Sequence, residues 1–177
     1  MINTSHLTNF RRGFTMVELL SIIAIITILA SIIIGGAGVA QNAMYKAQTK
    51  SMFAAWMNAL EQYKQEYGYY PPGLFNSSGV LDLTSGTKAD DFRTALDGTT
   101  DATLNRKGIP FYQFSESEQN EAGDLADAFG NTFVYICVDH DNDGDFRVSG
   151  ADEAIDADII AYSSETADGP GVVFSWK

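Results

Sequence analysis

The stretch "FTMVELLSIIAIITILASIII", residues 14–34, constrains this chain more than any other. Between Phe14 and Ile34 the only charged residue is Glu18, and from Leu19 onward there is none. At about 1.5 Å of rise per residue, a helix from Thr15 to Ile34 covers about 30 Å, the thickness of a bilayer's hydrocarbon core. Arg11 and Arg12 stand just ahead of the run. Positive charge on that side predicts a cytoplasmic N-terminus and export of the C-terminal remainder. A secretory signal peptide has the same order of basic and apolar residues. The run is about twice as long as a signal peptide's core, no clear small-x-small site ends it, and an acid lies inside it.

Helical patterning continues past the run. "GGAG" (Gly35, Gly36, Gly38) is a soft spot, because glycine costs a helix up to about 1 kcal/mol relative to alanine. Phe53, Trp56, Leu60, Tyr63 and Tyr67 then recur at spacings of 3, 4, 3 and 4, one stripe of an amphipathic helix. That stripe reads as core that docks a head domain. Gly68 and the pair Pro71–Pro72 end the helix. A single helix from Phe14 to Tyr67 would be roughly 80 Å long. An isolated soluble domain seldom has such a helix; a filament subunit does.

The remainder reads as a small head. "NSSG" and "TSGTKADD" are loops, "ADDFRTAL" (89–96) is a short amphipathic helix, and "IPFYQFSE" is a strand or extended segment. "NTFVYICVD" (131–139), "ADIIAYSS" (157–164) and "GVVFSW" (171–176) are rich in β-branched and aromatic residues and bounded by Gly or Asp turns. Three such strands predict an antiparallel meander on the C-terminal half of the helix, so the fold class is α+β. Cys137 is the only cysteine, which excludes an intrachain disulfide, and it reads as a small core residue.

"DHDNDGDFRVSGADE" (139–153) is the one concentrated chemical constellation. Alternating acids aim carboxylates inward when the chain curls, and Ca²⁺ takes about 6 to 8 oxygen ligands. Asp139, Asp141 and Asp143 followed by Gly144 match the first half of an EF-hand-type loop. The usual closing glutamate would fall at Gly150, which offers no ligand. Asp152 or Glu153 closes a longer loop, and Asp156, Asp158 and Asp168 are further candidates. A register starting at Asp141 makes Asp152 the closing acid but puts Phe146 where glycine belongs. The candidate ligand set is therefore Asp139, Asp141, Asp143, Asp145, Asp152 and Glu153, around a structural Ca²⁺ on a β scaffold. The alternative is a solvated acidic hairpin tip.

The net charge of −12 opposes phosphate binding, so no nucleic acid is expected. The two histidines, His6 and His140, and the single cysteine assemble no Cys–His pair or convincing triad. "GGAG" lacks the lysine of a phosphate-binding loop. The chain reads as non-enzymatic.

"RRGFTMVELL" resembles the class III leader of type IV pilins and pseudopilins. The resemblance implies cleavage by a prepilin peptidase after Gly13 and N-methylation of the new first residue, Phe14. It implies that Glu18 assists assembly, facing the Phe14 amine of a neighbouring subunit and setting its register. It also implies a helix that loosens on assembly near Gly35, where many pilins carry proline. "LEQYKQEYGYYPPG" and "DAFGNTFVY" are similar to segments of the major pseudopilin of type II secretion, with Ala128 for proline and Phe129 for tryptophan in the second. Such pseudopilins hold their C-terminal region with bound calcium, where many pilins use a disulfide. The expected architecture is a type IV pilin-like fold. Residues 1–13 are a leader, 14–38 a transmembrane and assembly helix, 39–70 its amphipathic second half, and 71–177 a head. The expected setting is the inner membrane with a periplasmic head. Expected partners are further copies of the chain, minor pseudopilins, prepilin peptidase and the inner-membrane assembly platform. Two alternatives stand: a type IV pilus subunit for adhesion, motility or DNA uptake, and a non-polymerising tethered module that binds calcium or sugar.

Overall fold

Helix α1 spans Met16–Tyr67, 52 residues. The computed structural model describes residues 14–84, 86–139, 145–146, 155–166 and 171–176, with the side chains of 32–37, 145, 156, 171 and 172 excepted. Contacts divide the chain into two units, Met1–Asn42 and Ala43–Lys177.

In the first unit every described side chain from Phe14 to Ser31 is exposed, Ile22, Ile25 and Leu29 included. The hydroxyls there bond back to their own helix: Ser21 Oγ donates to the Val17 carbonyl at 2.8 Å, Thr27 Oγ1 to Ala24 at 2.8 Å and Ser31 Oγ to Ile28 at 2.7 Å. Such bonding lets a serine or threonine sit on an apolar helix without leaving a polar group unsatisfied. Among the described residues, no helix is long and apolar enough to cross a membrane. The described side chains of the apolar run stop at Ser31, short of the about 20 residues a span needs.

The second unit forms around the amphipathic part of α1. Phe53, Trp56 and Leu60 are fully buried and Tyr63 nearly so, with Met52 and Ala59 filling the same face. Tyr67 closes the stripe half-buried, its ring 4.4 Å from that of Tyr63. Gly68 then takes φ +82, a left-handed cap suited to glycine, and its N–H bonds the Lys64 carbonyl at 2.8 Å. Helix α2, Gly86–Leu96, packs Phe92 edge-on to Trp56 at 5.6 Å. It begins at Gly86, earlier than the expected Ala89.

Among the described residues six strands succeed one another in chain order: β1 Val80–Asp82, β2 Phe133–Val138, β3 Asp145–Phe146, β4 Ile155–Asp156, β5 Ile159–Ser164 and β6 Gly171–Phe174. The main sheet runs β1-β2-β5-β6, antiparallel throughout, and β3 pairs with β4 separately. The expected meander is thus present as β2-β5-β6, with one more strand at the edge. Strand β1 escaped the sequence pattern because three residues are too few to show alternation. Its entry is built by Asn76, whose Oδ1 accepts the N–H groups of Ser78 and Val80, both at 2.9 Å. "IPFYQFSE" forms no strand: Pro110 makes an isolated bridge to Asp97, and Glu116–Glu118 is a 3₁₀ turn.

Alternation sorts the sheet's faces. Leu81, Val134, Ile136 and Ala161 face the α1 core. Cys137 and Ile160 face the other way, under Ile155 and Phe146 of the β3–β4 pair. Covering both faces explains why Cys137 is buried.

Candidate assembly site and acidic loop

The entry to α1 is a reciprocal cap. Thr15 Oγ1 accepts the Glu18 N–H at 3.2 Å, while Glu18 Oε2 accepts the Thr15 N–H at 3.1 Å and its hydroxyl at 3.0 Å. A Thr-x-x-Glu capping box satisfies two helix-end donors that otherwise lack partners. The carboxylate also lies at the positive end of the helix dipole. Glu18 thus has a local structural partner, Thr15, on its own helix. Phe14 is exposed beside it, and Gly13 lies outside the described residues.

The acidic stretch is described only in part. Asp141, Asp143, Asp152, Glu153 and Asp168 lie outside the described residues, as does His140. The backbone nevertheless brings its two ends together. The Asp139 N–H bonds the Asp158 carbonyl at 3.0 Å, and β3 and β4 set Asp145 across from Asp156. The backbone of Asp139 thus lies beside that of Asp158, and the backbone of Asp145 beside that of Asp156. Among the described residues no three His, Cys, Asp or Glu are grouped to hold a metal. The donors of the stretch are hard oxygens, the chemistry Ca²⁺ prefers.

A polar tie in the head was not legible in the sequence pattern. Asp127, almost fully buried, accepts the N–H groups of Phe129 at 2.9 Å and Asn131 at 2.8 Å, the Asn131 amide at 3.0 Å and the Ser163 hydroxyl at 2.7 Å. The next residue, Ala128, donates its N–H to the buried Thr49 Oγ1 at 3.0 Å. One short loop thereby joins α1 to strand β5. The signal was present in "DAFGN", an Asp ahead of a Gly-Asn turn.

Burial holds the protons of Cys137, Tyr63, Tyr70 and Tyr112. The Cys137 thiol is pushed up to about 12 by loss of solvent. The Tyr63 hydroxyl is pushed up to about 12, first by burial and then by Tyr69 and Tyr67.

Residues 8–34 match the prokaryotic N-terminal methylation motif. No curated protein and no solved structure gives a match to the chain. The motif points to type IV pilin-like proteins in general: membrane-anchored, processed by a prepilin peptidase and assembled into filaments. The α+β head on a long N-terminal helix is consistent with a pilin-like fold.

Proposed function

We propose that this chain is a structural, non-catalytic subunit of the pseudopilus of type II secretion, its major pseudopilin. The observation that carries the reading is the methylation motif at 8–34, set directly on a helix that runs Met16–Tyr67. Prepilin peptidase removes residues 1–13 after Gly13 and methylates the amine of Phe14. Residues 14–38 cross the inner membrane and become the filament's central helix. The head, 71–177, stands in the periplasm. Glu18 meets the Phe14 amine of a neighbour, so that two charges costly in lipid neutralise each other and fix the register. Growth from the inner-membrane platform, with minor pseudopilins, drives cargo across the outer membrane.

The secretion subtype rests on two features. A single cysteine excludes the disulfide that closes many pilin heads. The acidic stretch supplies a substitute: Ca²⁺ held by carboxylates from Asp139, Asp141, Asp143, Asp145 and Asp152 or Glu153. A small head without covalent closure gains stability from such a metal.

Co-expression with a prepilin peptidase tests the reading. The expected product has lost residues 1–13, carries one methyl group on Phe14 and forms filaments visible by electron microscopy. An unprocessed chain, or a processed one that stays monomeric, overturns it. Deleting the chain in its native cell separates the subtypes: secretion should fail while twitching and DNA uptake persist.

A further inference from the structure

Glu118 is a carboxylate that filament assembly and the acidic loop leave unused. It is 8% exposed, at the end of the 3₁₀ turn Glu116–Glu118. Oε1 accepts the Tyr112 hydroxyl, and Oε2 accepts Trp56 Nε1–H at 3.4 Å. Both donors are neutral, and among the described residues no cation pairs with it. A carboxylate taken out of water without a cation is held at a cost. Glu118 lines a cleft of about 260 Å³ beside α1, with Met52, Ala55 and Ala128 as apolar lining and Gln48 and Ser51 as polar lining. A long basic side chain suits that shape, its methylenes against the apolar wall and its head on the acid.

The chain offers such a side chain to its own copies. Between Glu18 and Glu61, α1 carries only two charged residues, Lys46 and Lys50. They lie one turn apart on one face, where like charges repel. Neither has a carboxylate partner among the described residues. A chain of net charge −12 also repels its copies unless acids meet cations across the contact.

We propose that the Glu118 cleft is a binding site for a lysine ammonium, and that its occupant is Lys46 or Lys50 of a second copy of this chain. The cleft's preference for a cation stands on its own geometry; the second copy as occupant rests on the filament reading.

Two measurements keep these parts separate. In the first, the full chain in detergent micelles carries Trp176→Phe, leaving Trp56 as the sole indole, and is titrated with cadaverine at fixed ionic strength. The emission of Trp56 should shift saturably, and Glu118→Gln should abolish the shift. A flat response, or one equal in Glu118→Gln, overturns the cleft even where filaments form. A saturable response in a chain that never polymerises overturns the second-copy occupant and the filament reading while supporting the cleft. In the second, filament yield is compared in membranes. Glu118→Gln and the pair Lys46→Gln, Lys50→Gln should each lower it at least about tenfold, and their combination should lower it no further. Lys46 is exposed and Lys50 half-buried, so the lysine arm decides the outcome even where Glu118→Gln folds poorly. Unchanged yield in the lysine variants, or losses that multiply in the combination, overturns the pairing.

Discussion

Thr15 and Glu18 complete each other's hydrogen bonding at the first turn of α1, with the Thr15 hydroxyl accepting the Glu18 N–H at 3.2 Å and donating to Glu18 Oε2 at 3.0 Å. Glu18 caps its own helix, and the proposed filament gives it a second, separable role as a charge for a neighbour. Glu18→Gln keeps an acceptor in the capping box and deletes the charge. Thr15→Ala does the reverse, at about 1 kcal/mol of helix stability. The expected outcome is that Glu18→Gln loses filaments by electron microscopy while Thr15→Ala keeps them. Equal loss in both would assign Glu18 to capping alone.

The tie through Asp127 predicts unequal costs along one network. Asp127→Ala strands four donors and should cost about 3 kcal/mol in urea unfolding. Ser163→Ala removes one bond and should cost about 1 kcal/mol. In the double variant the Ser163 change should add almost nothing, because its partner is already gone.

Buried protons, those of Cys137 and Tyr63 among them, set the alkaline limit of stability. The Cys137 thiol and the Tyr63 hydroxyl are both raised to about 12 in the fold, from 9.0 and 10.0. Each neutral form is favoured by folding, so its contribution is complete below the unfolded value and is lost as pH rises through the folded one. Stability should hold up to pH 9 and fall progressively between pH 9 and 12, as followed by circular dichroism. At a pH of about 8 a disulfide reagent should leave Cys137 unlabelled until denaturant is added.

Calcium gives a direct thermal test. Millimolar Ca²⁺ should raise the melting temperature of the full chain in micelles, and chelation should reverse the gain. Asp139→Asn with Asp143→Asn should remove the response. A melting temperature indifferent to Ca²⁺ would sink the metal site while leaving the filament reading intact.

The helical stripe from Phe53 to Tyr67 was legible because a period of about 3.6 depends only on neighbours along the chain, as did the stop at Gly68. The strands around Val134, Ile160 and Val173 were legible from alternation and branching. Strand β1 was not, since its pairing rests on Cys137, Ile136 and Tyr135, far along the chain. Glu118 was hidden for a different reason. "SESE" reads as a solvated surface, and only the arrival of Trp56 and Tyr112 from other elements buries it. Asp127 likewise finds Ser163 across 36 positions of sequence, a distance no local pattern encodes. Local rules recover elements; carboxylates that depend on three elements meeting require the fold.

The inward-turned hydroxyls of Ser21, Thr27 and Ser31 have a consequence for sliding. A rod whose polar atoms all bond to its own backbone shows its neighbours only hydrocarbon, and dispersion contacts change little when one such rod moves past another by a turn. In the proposed filament such a surface would ease lateral movement and would not itself mark where to stop. Along the described apolar stretch the only ionisable mark is Glu18, a single notch on an otherwise smooth shaft.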